Sequence, residues 1–280
     1  MPFATLQMPS RRELLKRLGA IGVGALTGVA AHGFLYERYR LGLVRETLAV
    51  TGLHPAHAGL RIGFITDLHR SENVGHELVD TAVRLVMAEQ PDLIVLGGDY
   101  VTWGNRQYVT LSADALAPLS APHGVFAILG NHDDDRDMPA ALSSKGFTVL
   151  RDARTRLTVR GEVLDIAGIR FWTHKVADIA RVLRGASPNV ILLAHSPKRL
   201  AEAASLSVPL MLSGHTHGGQ IVLPGIGAFA AREFPVIAGS GRRDNTAVFV
   251  SRGVGTVYVP IRVNCPPEVA VLTLRPSIPA

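Results

Sequence analysis

Short apolar runs alternate with amphipathic stretches along the chain from Leu60 onward. Three buried strands are predicted by the runs LRIGFIT, DLIVLGG and GVFAILG. Between and after them, apolar residues recur with helical spacing over 75–88, 108–119 and 138–145. Buried strands that alternate with amphipathic helices are typical of βαβ units in a parallel or mixed sheet.

After Gly146 the apolar runs become shorter and turn residues separate them. Further strands are predicted by the runs FTVL, TRLTVRG, EVLDIAGI, NVILLAH and VPLMLSG, and by residues 247–251, 256–259 and 268–274. Helices are predicted over 176–183 and from Pro197. We therefore predict an α/β fold, a four-layer α-β-β-α sandwich in which two mixed sheets pack face to face with helices outside.

The first 45 residues differ from the rest in charge and hydropathy. They carry seven Lys or Arg and two Glu, whereas the other 235 residues hold 22 basic and 21 acidic side chains. The net charge of +6 therefore belongs mainly to the leader, which argues against a nucleic-acid footprint on the body. We predict two parts, a leader over 1–45 and one domain over 46–280.

The leader has the features of an export signal. Arg11 and Arg12, preceded by Ser10, resemble the twin-arginine signal S-R-R-x-F-L-K, with Leu14 in place of Phe. Residues 18–35, which have no formal charge, follow this basic segment and are long enough to span a bilayer. Cleavage after Ala31 and retention as a membrane anchor both remain open. We expect export to the periplasm or to the outer face of the cytoplasmic membrane.

Five predicted strands end in Asp, Asn or His. These strand-end residues are Asp67 and His69, Asp99, Asn131 with His132 and Asp133, His195, and the pair His215 and His217. Ligands collect at the carboxyl ends of strands in α/β sheets. Oxygen and imidazole donors without a thiolate favour Mn, Fe or Zn, and two such ions together can promote phosphoryl transfer. The sequence therefore predicts two divalent metal ions as cofactors.

The same residues resemble the calcineurin-like metallophosphoesterase superfamily, whose pattern is D-x-H, G-D, G-N-H-[DE], H and G-H-x-H. The resemblance covers about residues 60–274 and implies the metallo-dependent phosphatase fold. It assigns one metal to Asp67, His69 and His217, and a second to Asn131, His195 and His215. It implies that Asp99 bridges the metals and that His132 is a catalytic acid or an electrostatic stabiliser.

The chain departs from the phosphoprotein phosphatases of this superfamily at two positions. Thr102 stands where those enzymes have the aspartate that orients the catalytic histidine, and Trp103 stands where they have a phosphate-binding arginine. The loss of that arginine favours a phosphodiester or a pyrophosphate over a phosphomonoester. The group that orients His132 stays open, with Asp133 and its acidic neighbours Asp134 and Asp135 as candidates.

The C-terminal run SRGVGTVYVPIRVNCPPE resembles a narrower branch, the exported bacterial phosphodiesterases related to UDP-2,3-diacylglucosamine pyrophosphatases. Arg252 and Arg262 are candidate substrate contacts, and structural pairing with Glu268 is the alternative. Arg170 is a third candidate. The apolar residues 221–239 fit either a core segment or an apolar lip for a lipid-linked substrate.

We therefore expect an exported, membrane-associated metal-dependent hydrolase of a small-molecule or lipid-linked phosphodiester or pyrophosphate. Its expected partners are the substrate and the twin-arginine export machinery, and not nucleic acid. Two alternatives remain, a phosphomonoesterase or nuclease on the same fold, and a non-catalytic metal-binding envelope protein. The near-neutral body argues against a nuclease, and the complete ligand set argues against loss of catalysis.

Overall fold

Two six-stranded mixed sheets form the centre of the computed structural model, which describes residues 10–277. The first sheet has the order β1-β12-β2-β3-β4-β5, with bounds Gly42–Thr51, Glu268–Ser277, Arg61–Ile65, Leu93–Leu96, Val125–Ala127 and Thr148–Val149. The second has the order β10-β11-β9-β8-β7-β6, with bounds Gly239–Arg243, Thr246–Val250, Leu210–Ser213, Val190–Leu193, Glu162–Gly168 and Ala153–Val159.

Most neighbouring strands run parallel, so their carboxyl ends share one edge of the sandwich. The antiparallel pairs are β12 with β2, β10 with β11 and β6 with β7. The central strands β3, β4 and β8 are apolar along their whole length, and β2 and β9 have one polar residue each, Arg61 and Ser213, because both faces of each sheet are covered.

Three apolar clusters hold the layers together. The largest lies between the sheets, where Phe64 of β2 packs edge-to-face on Phe249 of β11 with ring centroids 6.2 Å apart. A second cluster joins the first sheet to α2 (His76–Met87), α3 (Val109–Leu116) and α4 (Met138–Ser143), and a third joins the second sheet to α5 (Val176–Leu183) and α6 (Leu200–Ser205). The predicted four-layer α/β sandwich is confirmed.

The N-terminal helix α1 (Arg11–Leu35) extends away from this body. It begins with a capping box between Ser10 and Glu13, and it is long and apolar enough to cross a membrane, with a mean hydropathy of 1.6 over an 18-residue window. Its last turn contacts the body at Gly33, where a side chain would overlap the Arg262 carbonyl. The following turn is fixed by buried Glu37, which accepts the Cys265 N–H at 2.7 Å.

Three segments differ from the sequence-based strand predictions. The prediction of a strand over 256–259 is wrong, because the Gln220 side chain bonds the main chain of Val257 and Val259 and takes the place of a neighbouring strand. Strands β1 and β10 were not predicted, because Arg45, Glu46 and Thr47 interrupt the apolar residues of β1, and β10 is made of glycine and polar residues. Strand β1 begins at Gly42, four residues before the predicted start of the domain, whose boundary stays a prediction.

Asp165 on β7 joins the outer strand β6 to the loop before β8. Its buried carboxylate accepts hydrogen bonds from Arg154, Arg156 and the Ser187 N–H. Burial alone would raise the pKa of Asp165, but these donors outweigh it and the pKa lies below its usual range. Because the folded pKa is depressed, the stabilisation is present near neutral pH and is lost as the pH falls through that pKa.

We therefore expect Asp165→Asn to lower the free energy of unfolding at pH 7 by about 1–3 kcal/mol, since two guanidinium groups lose their anionic partner. Denaturant unfolding of the detergent-solubilised protein, followed by circular dichroism, measures this difference. Asp178→Asn is the control, because its exposed i,i+3 pair with Arg181 contributes little. Equal losses in both variants, or a loss at Asp165 that does not shrink toward acid pH, would contradict the assignment.

Candidate metal centre

The five strand ends that carry the Asp, Asn and His residues meet at one edge of the sandwich. The loops after β2, β3 and β4 come from the first sheet, and those after β8 and β9 come from the second. Asp67 and His215 join the two sets, because the Asp67 carboxylate accepts the His215 N–H at 3.0 Å. The site is therefore formed by both sheets together.

One group of three possible metal ligands consists of Asp67, His69 and His217, all buried. His217 Nε2 lies 3.4 Å from Asp67 Oδ1 and 3.1 Å from His69 Nε2. The His69 Nδ1 atom contacts the Thr102 hydroxyl at 3.2 Å. The three donor atoms therefore converge on one point with a mixed oxygen and nitrogen set.

A second group consists of Asp99, His195 and His215. Asp99 Oδ2 lies 3.1 Å from His195 Nε2 and 3.4 Å from His69 Nε2 of the first group. The His195 Nδ1 atom lies 2.7 Å from the Gly97 carbonyl, which can only accept, so Nδ1 carries the proton and Nε2 faces the acids. Asp99, a member of the second group, thus also contacts a histidine of the first group.

The donors in this site fit divalent cations. The Asn131 side-chain oxygen is buried and has no hydrogen-bond partner among the described residues, as expected of a ligand atom aimed at a cation. Burial lowers the pKa of His215 to about 3, which keeps its imidazole neutral. Burial would also lower the pKa of His195, but the charge and hydrogen bond of Asp99 raise it to about 10. A cation at His195 would replace that proton.

The backbone around the site is held in an unusual conformation. The left-handed region, with φ between 48° and 70°, is occupied by Asp67, His69, Asp99, His215 and His217. Such residues cost about 1–3 kcal/mol each when strained and cluster at functional sites. Gly130 and Gly214 allow the close packing, since a side chain at either would overlap the carboxylate of Asp99 or Asp67.

Asp133 fixes the loop that carries Asp99. Its carboxylate accepts the main-chain N–H groups of Asp99, Tyr100 and Gly130 at 2.6–2.8 Å. Burial and the nearby charge of Asp99 raise the pKa of Asp133 to about 7. Asp133 therefore shapes the loop and makes no hydrogen bond to the His132 side chain.

His132 is oriented by main chain and aromatic rings. The ring atom Nδ1 accepts the main-chain N–H of Trp103 at 3.3 Å. The main-chain N–H of His132 donates to Asp99 Oδ1 at 2.8 Å. Burial lowers the pKa of His132, so the ring is neutral at pH 7, with its proton on Nε2. The neighbouring acids have other partners. Asp134 accepts the main-chain N–H groups of Arg136 and Asp137, and Asp135 pairs with Arg151.

The three candidate arginines have different positions. Arg262 is fully buried and donates to main-chain carbonyls, including those of Arg252, Gly253 and Gly255, an arrangement that favours its structural alternative. Arg252 forms an ion pair with Glu268. Arg170 is half exposed, lies 3.6 Å from Asp152, and lines a cavity of about 330 Å³ that also contains Asn131.

A groove of about 510 Å³ leads away from the histidines and was not predicted in this form. Trp103 and Tyr258 lie beside its polar end, with ring centroids 5.4 Å apart and the His132 ring 4.4 Å from Trp103. Both aromatic residues have positive φ, which bulky side chains rarely adopt. The groove is also lined by apolar side chains, those of Ile221, Leu223, Phe229, Phe234 and Val259.

Comparison with known proteins identifies the family. A family model described as calcineurin-like phosphoesterase matches residues 60–219, more than half of the chain. "Phosphodiesterase YaeI" of Escherichia coli (strain K12) is 32% identical over 95% of this chain and 100% of its own length. "Uncharacterized metallophosphoesterase YkuE" of Bacillus subtilis (strain 168) is 31% identical over 95% of this chain and 98% of its own length.

The fold of the chain is also found in a solved structure, the NAD nucleotidase NadN of Haemophilus influenzae. The two share 16% identity with a TM-score of 0.51, over 70% of this chain and 45% of that one. The fold and donor set, together with these relatives, define a metal-dependent phosphoesterase. The chain belongs to the calcineurin-like phosphoesterase family.

Proposed function

We propose that this phosphoesterase is a dinuclear-metal phosphodiesterase or pyrophosphatase. Asp67, His69 and His217 would hold one divalent ion, and Asn131, His195 and His215 would hold the second. The position of Asp99 supports this most directly, because one carboxylate oxygen lies within 3.4 Å of a histidine from each group. When bound, the ions would supply Lewis acidity toward water and the phosphoryl oxygens.

Other residues of the chain would stabilise developing charge and orient the groups around the ions. His132 presents an Nε2–H group toward the groove and would donate a hydrogen bond to the leaving oxygen or to a charged phosphoryl oxygen, which stabilises the negative charge that develops there. The Trp103 N–H keeps that tautomer, since it occupies the Nδ1 lone pair. Asp133 would hold Asp99 in place through the main chain.

A diester is the better substrate for this groove than a monoester. A phosphomonoester dianion needs more positive charge around the phosphate than a diester monoanion does. Within residues 10–277, the side chains that line the groove include no lysine or arginine, and the lining residue Glu233 is paired with Lys198 at 2.8 Å. Arg252 and Arg262, two of the candidate substrate contacts, are held by other partners.

We further propose that the enzyme is exported by the twin-arginine route and stays anchored by α1. The contacts of Gly33 with Arg262 and of Glu37 with Cys265 support retention, because cleavage after Ala31 would leave the docked turn without its helix. An anchored enzyme with an apolar groove wall would suit a lipid-linked diester or pyrophosphate.

The test compares two chromogenic substrates that share a leaving group. Full-length protein in detergent, supplied with Mn²⁺, is expected to hydrolyse bis(p-nitrophenyl) phosphate at least about tenfold faster than p-nitrophenyl phosphate, a difference of about 1.4 kcal/mol in the barrier. Chelation followed by metal replacement checks that turnover depends on the metal. A preference for the monoester would overturn the argument from groove charge.

A further inference from the structure

Two loops beside the metal groove present apolar side chains to solvent. The first covers residues 221–229 and exposes Leu223, Ile226 and Phe229, with Ile226 52% and Phe229 68% exposed. The second covers residues 257–261 and exposes Tyr258 and Val259, with Tyr258 76% exposed. Together these loops are called the rim. Clustered apolar exposure of this kind marks an interaction surface.

Both loops of the rim are attached to the segment on which α1 ends. The Arg262 N–H donates to the Gly33 carbonyl of α1 at 3.3 Å, directly after the second loop. The first loop pairs with the same segment, since the Val222 N–H donates to the Val263 carbonyl at 2.9 Å. The rim and the last turn of α1 are therefore neighbours on one face of the body.

The length of α1 places that face relative to a bilayer. The uncharged residues 18–35 make a helix of about 27 Å, close to the hydrocarbon thickness of a bilayer. If α1 spans the membrane, its last turn lies at the lipid–water boundary, and the body segment touching Gly33 lies at the same level. The rim is then held against the headgroup region rather than pointing into bulk water.

The chemistry of the residues around α1 matches such a boundary. Tyr36 and Tyr39 are exposed directly after the helix, as is typical of membrane interfaces. Arg232 stacks on Phe229 with 4.6 Å to the ring centroid and donates to the Ile226 carbonyl at 3.0 Å. Aromatic, aliphatic and cationic side chains thus occur together, which favours a bilayer that contains anionic lipid.

The groove of the metal centre opens into the rim. Leu223, Phe229, Tyr258 and Val259 belong both to the rim and to the groove lining, whose other end is formed by His69, Asp99 and His132. A lipid could therefore keep its acyl chains along the rim while its phosphate reaches the histidines. A water-soluble diester would use only the polar end of the same groove.

We propose that the rim is a bilayer-docking surface and that the diester substrate is an acylated phospholipid drawn from the leaflet beneath it. The docking part rests on α1 as a membrane anchor, and the substrate part rests also on the proposed phosphodiesterase function. The partner is the lipid bilayer, and the ligand class is a phosphodiester that carries fatty acyl chains.

The docking part is tested by spin labelling of the full-length protein in vesicles of phosphatidylcholine and phosphatidylglycerol. A label at Ile226→Cys is expected to be accessible to oxygen and shielded from a water-soluble nickel chelate. The control is Val163→Cys, an exposed apolar position at the start of β7, at the opposite edge of the sheet. Wild-type protein treated with the same spin label checks that buried Cys265 does not react. Equal access of the nickel chelate to both labels would overturn the docking surface.

The substrate part is tested with a chromogenic lipid diester, dioleoylphosphatidyl p-nitrophenol, embedded in the same vesicles. Ile226→Glu is expected to slow hydrolysis of this lipid about tenfold or more, since it adds a negative charge and removes apolar contact at the membrane. Hydrolysis of soluble bis(p-nitrophenyl) phosphate is expected to stay within about twofold, because Ile226 lies outside the groove lining. Val163→Glu should leave both rates unchanged.

The outcomes separate the two proposals. Wild-type turnover of the soluble diester without turnover of the lipid would overturn the acylated substrate and leave the phosphodiesterase function intact. Absence of turnover of both would overturn the proposed function, and the label at Ile226 would still decide the docking surface. Equal slowing of both substrates by Ile226→Glu would also overturn the lipid role of the rim.

Discussion

Exchange of Asp99 for asparagine is expected to reduce hydrolysis of bis(p-nitrophenyl) phosphate by about 10³-fold. The negative charge of Asp99 would help to hold both ions, and its loss is expected to raise the barrier by about 4 kcal/mol. The asparagine side chain keeps an oxygen that can accept the main-chain N–H of His132. What disappears is the negative charge between His69 and His195. Steady-state rates and metal content per chain, measured by mass spectrometry, check this result.

Asp135→Asn is the matched control for Asp99→Asn. Asp135 belongs to the acidic run after His132, is exposed, and pairs with Arg151 rather than with a histidine. Its rate and metal content are expected to equal those of the wild type. If Asp99→Asn kept two ions per chain and a rate within tenfold of the wild type, Asp99 would not be the shared ligand.

Exchange of His132 for alanine is expected to slow turnover by about 10²–10³-fold on a diester with an alkoxide leaving group, because a hydrogen-bond donor to the developing negative charge is lost. The loss should be smaller with p-nitrophenolate, since that group delocalises its negative charge and needs less stabilisation. The metal content should stay unchanged, because His132 lies outside both groups of possible ligands. A series of leaving groups with metal analysis of each sample measures both effects.

His123→Ala is the control for His132→Ala, since His123 lies in a turn before β4 and outside the metal centre. It should not change the rate with either leaving group. A His132→Ala variant that lost its metals, or that slowed all leaving groups equally, would show that His132 supports the centre without stabilising the leaving oxygen.

The fold class and the meeting of the strand ends could be predicted because both follow from local pattern. Apolar strands such as β3 and β8 can be recognised from their sequences. Because these strands are parallel to their neighbours, their ends place Asp99 and His195 at the same edge of the sandwich. Strands β1 and β10 could not be recognised in the same way. β10 has the sequence GSGRR, so only its pairing with β11 makes it a strand.

The supporting contacts of the site were less accessible to sequence reasoning. The donor to His132 Nδ1 is the main-chain N–H of Trp103, which every residue type except proline would offer. The sequence leaves a substrate contact and a structural role both open for Arg262, and only its burial among carbonyl groups favours the structural role. The exposure of Ile226 and Phe229 also depends on how their loop turns away from the body. These features are tertiary and leave no periodic signal.

The contact between Asp67 and His215 has a consequence for the order of events during maturation. The two residues are 148 positions apart, and their hydrogen bond forms only after both sheets have closed. The donors from residues 67 to 217 therefore converge late in folding, and an ion is captured in whichever compartment that closure takes place. A chain that crosses the membrane already folded, as proposed here, would carry cytosolic metal, whereas a chain threaded unfolded would select its metal outside the cell.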